Sequence, residues 1–397
     1  MPDATLAGGR LAATGRNRRH NRWQLGFALA LLLIFPFVAA NFGNSWVRIM
    51  DYALLYVMLA LGLNIVVGFA GLLDLGYVAF YAMGAYLTGL LASPQFALTL
   101  ESVAAHFPAA GAILLAVCGP DVAQNGLHLP AWFIVPLCAA AAGTLGALLG
   151  APTLKLRGDY LAMVTLGFGE VIRLLTINLG NPVNLTGGSD GVNMIDPVTI
   201  LGMSLHGEPG GHGNLQFGSY AMPSVNAYYF LFLALCLASI VVTARLRRSR
   251  LGRAFLAIRE DEMAAMAMGI NTRNVKLLAF AMGASFGGVA GSMFASFQGF
   301  VSPESFSLSE SVTILAMVIL GGIGHIPGVI AGALLLALLP EVLRHLVEPM
   351  QRAAFGEVLV PAEIMRVGMV GAAMVLIMLT RPAGLWPRPV HEEHGFR

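Results

Sequence analysis

The sequence predicts an all-α polytopic membrane protein of about ten transmembrane helices with both termini in the cytoplasm. Composition is the first reason: 57% of the residues are hydrophobic and 11% charged, whereas soluble domains carry about 25% charged residues. Mean hydropathy is +0.75. Second, the apolar residues gather into runs near the roughly 20 residues that a helix needs to cross a bilayer. Third, the basic residues come in blocks separated by long tracts without Lys or Arg, and such blocks orient a chain in the membrane.

Residues 1–22 form a basic cytoplasmic tail holding Arg10, Arg16, Arg18, Arg19 and Arg22 against the single acid Asp3. A cleaved signal peptide ending near Val38-Ala39-Ala40 is the competing reading of this stretch, but the later spans need it to keep their parity. Residues 23–380 form the transmembrane domain. Its candidate spans are Trp23–Phe42, Met50–Phe69, Leu75–Ala92, Ala131–Gly150, Tyr160–Leu179, Ala227–Ala244, Leu277–Phe297, Val312–Ile326, Gly328–Leu346 and Ile364–Thr380. Ten crossings that start inside put Lys155, Arg157, the charged loop 245–276 and the tail 381–397 on the cytoplasmic side, as the positive-inside rule requires. Residues 49–154 and 174–244 contain no Lys or Arg, which places loops 93–130 and 180–226 outside. Arg48, Arg344 and Arg352 fall on the outer side as exceptions. Val312–Ile326 is short for a span and fits a re-entrant segment as well, while Ala109–Cys118 is too short to cross.

The loop 245–276 organises the reading of function. It holds eight of the 23 basic residues, yet it is patterned as two short helices. One covers Arg253–Arg259; the next starts at the capping-type residue Asp261 and stops at Gly269, with Phe255, Ile258, Met263 and Met266 offering apolar faces. A plain connection between two spans needs only a few polar residues. A loop that builds its own amphipathic helices outside the bilayer is expected to dock a soluble motor partner.

Charges inside spans are costly unless paired or wet. Glu170 and Arg173 stand i, i+3 near the middle of Tyr160–Leu179 and can pair on one face; they form either a self-neutralising structural pair or a polar surface of a translocation path. Asp74 lies in the Gly-rich turn from Gly68 to Gly76, a tight or broken helix connection of the kind transporters use for substrate and chains use simply to turn. Glu304 and Glu310 are expected outside. Gly283, Gly287 and Gly291 form a GxxxGxxxG face, with shorter versions at Gly146/Gly150 and Gly328/Gly332, suited to close helix packing within this subunit or against a second one. Cys118, Cys138 and Cys236 are odd in number and widely spaced, which suggests neither a disulfide framework nor a metal site.

The two lysines, Lys155 and Lys276, belong to no phosphate-cradling loop, and the chain has no HExxH, CxxC or GxSxG motif. No catalytic residue, metal ligand or cofactor is therefore expected in this chain, ATP must be hydrolysed elsewhere, and the basic blocks read as membrane topology without a nucleic-acid partner.

Four stretches, Leu61–Leu87, Leu156–Leu175, Leu251–Ile270 and Gln298–Gly322, resemble the LivM-type permease subunit of bacterial importers for branched-chain amino acids driven by ATP-binding-cassette motors. The resemblance covers Asp51–Pro387. It implies a LivH-type permease partner, two cytoplasmic ATPase subunits that bind the ATP, a periplasmic binding protein delivering leucine, isoleucine or valine, and a place in the lipid of the bacterial inner membrane. The family's coupling segment falls on Arg253–Gly269, which makes Arg253, Phe255, Ile258, Glu262, Ala264, Ala265 and Gly269 the expected contacts to the ATPase. Ala264-Ala265 followed by Gly269 matches the core of the importer coupling motif, whereas Glu262 stands one residue farther from the alanines than the general pattern. The stretches Ser93–Pro130 and His206–Gly218 are longer than in typical members. The rival readings are a permease for urea, short amides or other neutral amino acids, and an ion-coupled secondary carrier.

Overall fold

The computed structural model describes residues 32–39, 44–153, 156, 158–200, 203–205, 216–217, 220–221 and 223–355, with isolated positions between 361 and 380. The expected tails, most of the first candidate span, about half of the last, Lys155, Arg157 and most of His206–Gly218 lie outside these residues. Residues 32–39 are helical. The main elements that follow are α1 (Asn44–Leu63), a π-helix (Asn64–Phe69), α2 (Val78–Leu91), α3 (Gln95–His106), α4 (Pro108–Asn125), α5 (Ala131–Thr153), α6 (Asp159–Asn178), α7 (Ser224–Arg248), α8 (Arg250–Glu260), α9 (Glu262–Ala267), α10 (Thr272–Gln298), α11 (Leu308–Gly321) and α12 (Ile326–Phe355).

Among the described residues six helices are long and apolar enough to cross a membrane: α1 with its π continuation, α5, α6, α7, α10 and α12. Helices α2 and α11 are also apolar but have 14 residues each, about 21 Å at 1.5 Å per residue, against a hydrocarbon core of about 30 Å. Several expected boundaries shift. The span drawn over Val312–Ile326 ends at Gly321, because a turn through Gly322 and Gly324, both at positive φ, separates it from α12. The span drawn from Leu75 starts as a helix only at Val78. The loop 93–130, expected outside, contains α3 and α4, and Ala109–Cys118 is the first part of α4, which kinks at Gly119.

Burial separates the helices into an inner and an outer set. The apolar window of α1 and its continuation is 89% buried, that of α6 only 28%, so α1 is central and α6 peripheral. Helix α10 lies beside α1, with its three-glycine face turned inward. A Cβ built at Gly283 would meet the Val66 side chain and Gly62 O, one at Gly287 the Phe80 Cβ, and one at Gly291 Tyr81 O at 2.0 Å. The small residues therefore bring α10 against α1 and α2 of the same chain, which selects packing within the subunit. Aromatic rings of Tyr81, Phe294 and Phe306 fill the adjacent space. Cys138 and Cys236 are buried free thiols.

Two-residue strands tie the loops at one end of the bundle. Ala92–Ser93 pairs with Leu127–His128, and Val192–Asn193 with Phe300–Val301. Asp196 N donates to Ala92 O at 2.7 Å and Ile195 N to Gly299 O at 3.2 Å. His128 Nδ1 meets Asp196 Oδ2 at 2.5 Å. The opposite end carries α8, α9 and the interruption between α1 and α2. There the helix widens into the π-helix, runs irregularly through Ala70–Tyr77 and resumes at Val78. Asn64 is fully buried and its Oδ1 accepts from Gly324 N at 2.8 Å, which joins this interruption to the turn between α11 and α12.

Candidate coupling site and charged face

Helices α8 and α9 arise from local chemistry. The Ser249 hydroxyl accepts from Gly252 N at 3.1 Å and caps α8, leaving fewer unpaired amides in its first turn. The Asp261 carboxylate accepts from Met263 N at 2.8 Å and Ala264 N at 3.0 Å, so it ends α8 and starts α9. Gly269, at φ 82°, ends the motif in a conformation that side chains with a Cβ disfavour.

The knuckle has two faces. Phe255 is 0% and Ile258 5% exposed, and Ala265 is buried with them. These three expected contact residues are therefore turned away from the exposed surface, and Phe255 joins the core of the bundle. Arg253, Ala264 and Gly269 remain exposed, joined by Met263, Met266 and Met268 at 64%, 42% and 83%. Unbranched thioether side chains make an adaptable apolar surface. Glu262 is engaged within the chain: the nearly buried Lys276 Nζ lies 2.5 Å from its Oε1, which clamps α9 to the start of α10.

The anchored face reaches the interruption of the central helix. Arg259 Nη1 donates to Gly68 O at 2.5 Å, occupying a carbonyl at the end of the π-helix. Gly71, at φ 71°, lets the backbone pass the same side chain; a Cβ there would lie 2.8 Å from Arg259 Cγ. A cleft of about 270 Å³ runs beside this contact, lined by Gly71, Leu73, Leu161, Arg259, Glu262 and Lys276. Sequence reasoning put Arg259 inside the knuckle but gave it no role. The available signal was the pair of glycines at 68 and 71, which marks a close backbone approach without naming what approaches.

Asp74 sits inside the interruption and is 2% exposed. Its Oδ1 accepts from Gly76 N at 2.9 Å, while Thr165 of α6 accepts from Leu75 N at 3.1 Å. The carboxylate thus closes a turn in the interior. Glu170 and Arg173 do pair, with Arg173 Nη2 2.6 Å and Nε 3.1 Å from Glu170 Oε1. Their side chains are 41% and 28% exposed. They lie on the uncovered side of the least buried long helix, and the Glu304 carboxylate, from a short 3₁₀ turn that packs on α6, is within electrostatic reach of Arg173. In a membrane span such a pair disfavours lipid and favours a wet or protein-lined surface.

The family described as "Branched-chain amino acid transport system / permease component" matches residues 45–378. The chain belongs to this permease family. The permease is 38% identical over 370 residues to the high-affinity branched-chain amino acid transport system permease protein LivM of Escherichia coli K12, covering 91% of this chain and 74% of that relative. The LivM protein of Salmonella typhimurium is equally similar. The LivH permease protein of Escherichia coli K12 is 25% identical over 342 residues, spanning 85% of this chain and 93% of that one. No solved structure matches the permease.

Proposed function

We propose that the chain is one of two unlike permease subunits in an ATP-driven, binding-protein-dependent importer of leucine, isoleucine and valine. In this reading it sits in the bacterial inner membrane with ten crossings and both termini cytoplasmic. The second permease is of LivH type, two cytoplasmic ATPase subunits bind the ATP, and a periplasmic protein delivers the amino acid. The observation that carries it is the two-faced knuckle: an exposed methionine surface for a motor, and on its inner side the Arg259–Gly68 contact to the central helix. The eight basic residues of the surrounding loop favour the cytoplasmic side for this end.

In the mechanism, closure of the ATPase dimer pulls on Arg253, Ala264, Gly269 and the methionines. Phe255, Ile258 and Ala265 make the knuckle move as one body with the bundle, and Arg259 passes the displacement to the π-helix. The two permeases rock, and the path between them opens to alternate sides. The exposed Glu170–Arg173 pair belongs to the surface facing that path.

Uptake of radiolabelled leucine into proteoliposomes holding this chain with its permease, ATPase and binding-protein partners tests the reading. Accumulation that needs both internal ATP and the binding protein supports it. ATPase stimulation by urea-loaded binding protein without leucine uptake moves the substrate to a small amide, and failure to assemble with any ATPase defeats the coupling assignment.

A further inference from the structure

Helix α1 is enclosed by its neighbours along nearly its whole length. From residue 51 to 70, every position is buried except Tyr52, Tyr56. With Arg48, which is exposed, these two form an i, i+4, i+8 row on one face of α1, so this stretch of the central helix is left uncovered by its own chain along a single strip. The strip descends from the end opposite the knuckle. Tyr56 is twelve residues beyond Asn44, about 18 Å of helix at 1.5 Å per residue.

Side chains from two other helices complete the strip. Arg48 Nη2 and Tyr52 Oη both donate to Gln298 Oε1 at the end of α10, at 3.3 and 2.6 Å. One turn deeper, Tyr56 Oη donates to Glu310 Oε2 in the first turn of α11 at 3.0 Å. Aromatic rings flank the row: Arg48 lies over Phe297 at 5.9 Å, and Tyr52 packs on Phe297 and Phe294 with centroids 5.5 and 6.5 Å apart. A carboxylate and a guanidinium are expensive against hydrocarbon, and a part-exposed polar row on the most enclosed helix is better explained by water or a polar solute than by lipid. It also accounts for Arg48, one of the three cations that the topology left on the wrong side.

We propose that Arg48, Tyr52, Gln298, Tyr56 and Glu310 form the outer half of the substrate path and hold an α-amino acid zwitterion with an apolar side chain. Resting on the importer reading, the order of charges is what selects this ligand. Arg48, outermost, takes the carboxylate through paired N–H groups; Glu310, innermost, takes the ammonium; the half-buried Phe294 ring takes the aliphatic side chain. A neutral amide offers neither full charge and gains less from the row.

Cysteine accessibility tests the strip without requiring transport. In a Cys118→Ser background, Tyr52→Cys and Tyr56→Cys are treated from outside with a membrane-impermeant cationic thiosulfonate, beside Leu59→Cys, which is fully buried. Modification at 52 and 56 at least tenfold faster than at 59, slowed by leucine with its binding protein, is the expected result. No modification at either position overturns the proposal, because the strip is then covered by lipid or by the second permease. Should the cysteine variants fail to assemble, leucine uptake by Arg48→Gln and Glu310→Gln decides: KM rises tenfold or more in each, with Arg344→Gln unchanged. Modification without leucine protection, together with unchanged KM, also overturns it and leaves a wet crevice that holds no substrate. A wild-type assembly that takes up no leucine defeats the importer reading instead, and the labelling still reports whether the strip is open.

Discussion

Arg259 and Gly68, separated by 191 positions in sequence, are joined by a 2.5 Å hydrogen bond from a guanidinium nitrogen to a backbone carbonyl. Hydrogen bonds to charged groups contribute about 1.5–3 kcal/mol, a factor of roughly 10 to 150. Arg259→Gln is expected to lower leucine transport by at least tenfold while the subunits still copurify, with Arg259→Lys intermediate because a flexible ammonium keeps the charge but loses the planar fork. Uptake measured beside subunit pull-down checks this; normal uptake in Arg259→Gln would remove the contact from the coupling route.

Gly269 and Ala265 fail for different reasons when replaced. A Cβ at Gly269 has open space, so Gly269→Ala costs only the positive φ, about 1–2 kcal/mol. Gly269→Pro also removes the amide that donates to Met266 O at 3.0 Å and is expected to abolish transport. Ala265→Leu overpacks a buried site. Both severe variants should remain in the membrane fraction, and blot quantification beside uptake separates lost coupling from lost protein.

The glycine face of α10 should show a graded response. An alanine Cβ at Gly291 would stand 2.0 Å from the Tyr81 carbonyl, a backbone atom that cannot yield locally, whereas at Gly287 the nearest atom is the Phe80 Cβ at 3.1 Å. Overpacking costs about 1–3 kcal/mol. Gly291→Ala is expected at or beyond the upper end and Gly287→Ala at the lower; thermal unfolding followed by size exclusion in detergent should rank them so.

The pair Glu170–Arg173 separates path from packing. Glu170→Gln removes the carboxylate hydrogen-bonded to Arg173 in the span and should reduce the amount of inserted protein several-fold; adding Arg173→Gln should restore it. If the pair serves the path, the restored double variant still transports poorly. Full uptake by the double variant would make the pair purely structural.

His128 provides a pH-dependent term at the end opposite the knuckle. The Asp196 hydrogen bond, reinforced by the Asn125 carbonyl, raises its pKa above 6.5. A raised folded-state value means the contribution is complete below pH 6.5 and fades as pH climbs through the higher folded value. With both side chains more than a third exposed, solvent screening holds it under about 1 kcal/mol. Wild type should lose a small stability advantage over Asp196→Asn between pH 6 and 8, read as the difference in unfolding temperature; a difference independent of pH would refute the assignment.

The parts legible in sequence are those governed by neighbours in the chain. Asp261 and Gly269 punctuate the knuckle because capping and positive φ act within a turn. Glu170 and Arg173 meet because three residues make nearly one helical turn, and apolar run lengths locate the long spans whatever they pack against. Tertiary packing decided the rest. Leu, Phe and Ala look alike whether they face lipid, a core or a partner, so only the assembled bundle turns Phe255, Ile258 and Ala265 inward and leaves the methionines out. A glycine face fits any close neighbour, and only the placement of α1 and α2 makes that neighbour the same chain. Asp74 became an interior turn through Gly76 and Thr165. Gln298 and Glu310 joined Tyr52 and Tyr56 because folding brought residues some 250 positions apart to one strip of a helix, and no local pattern encodes such a distance.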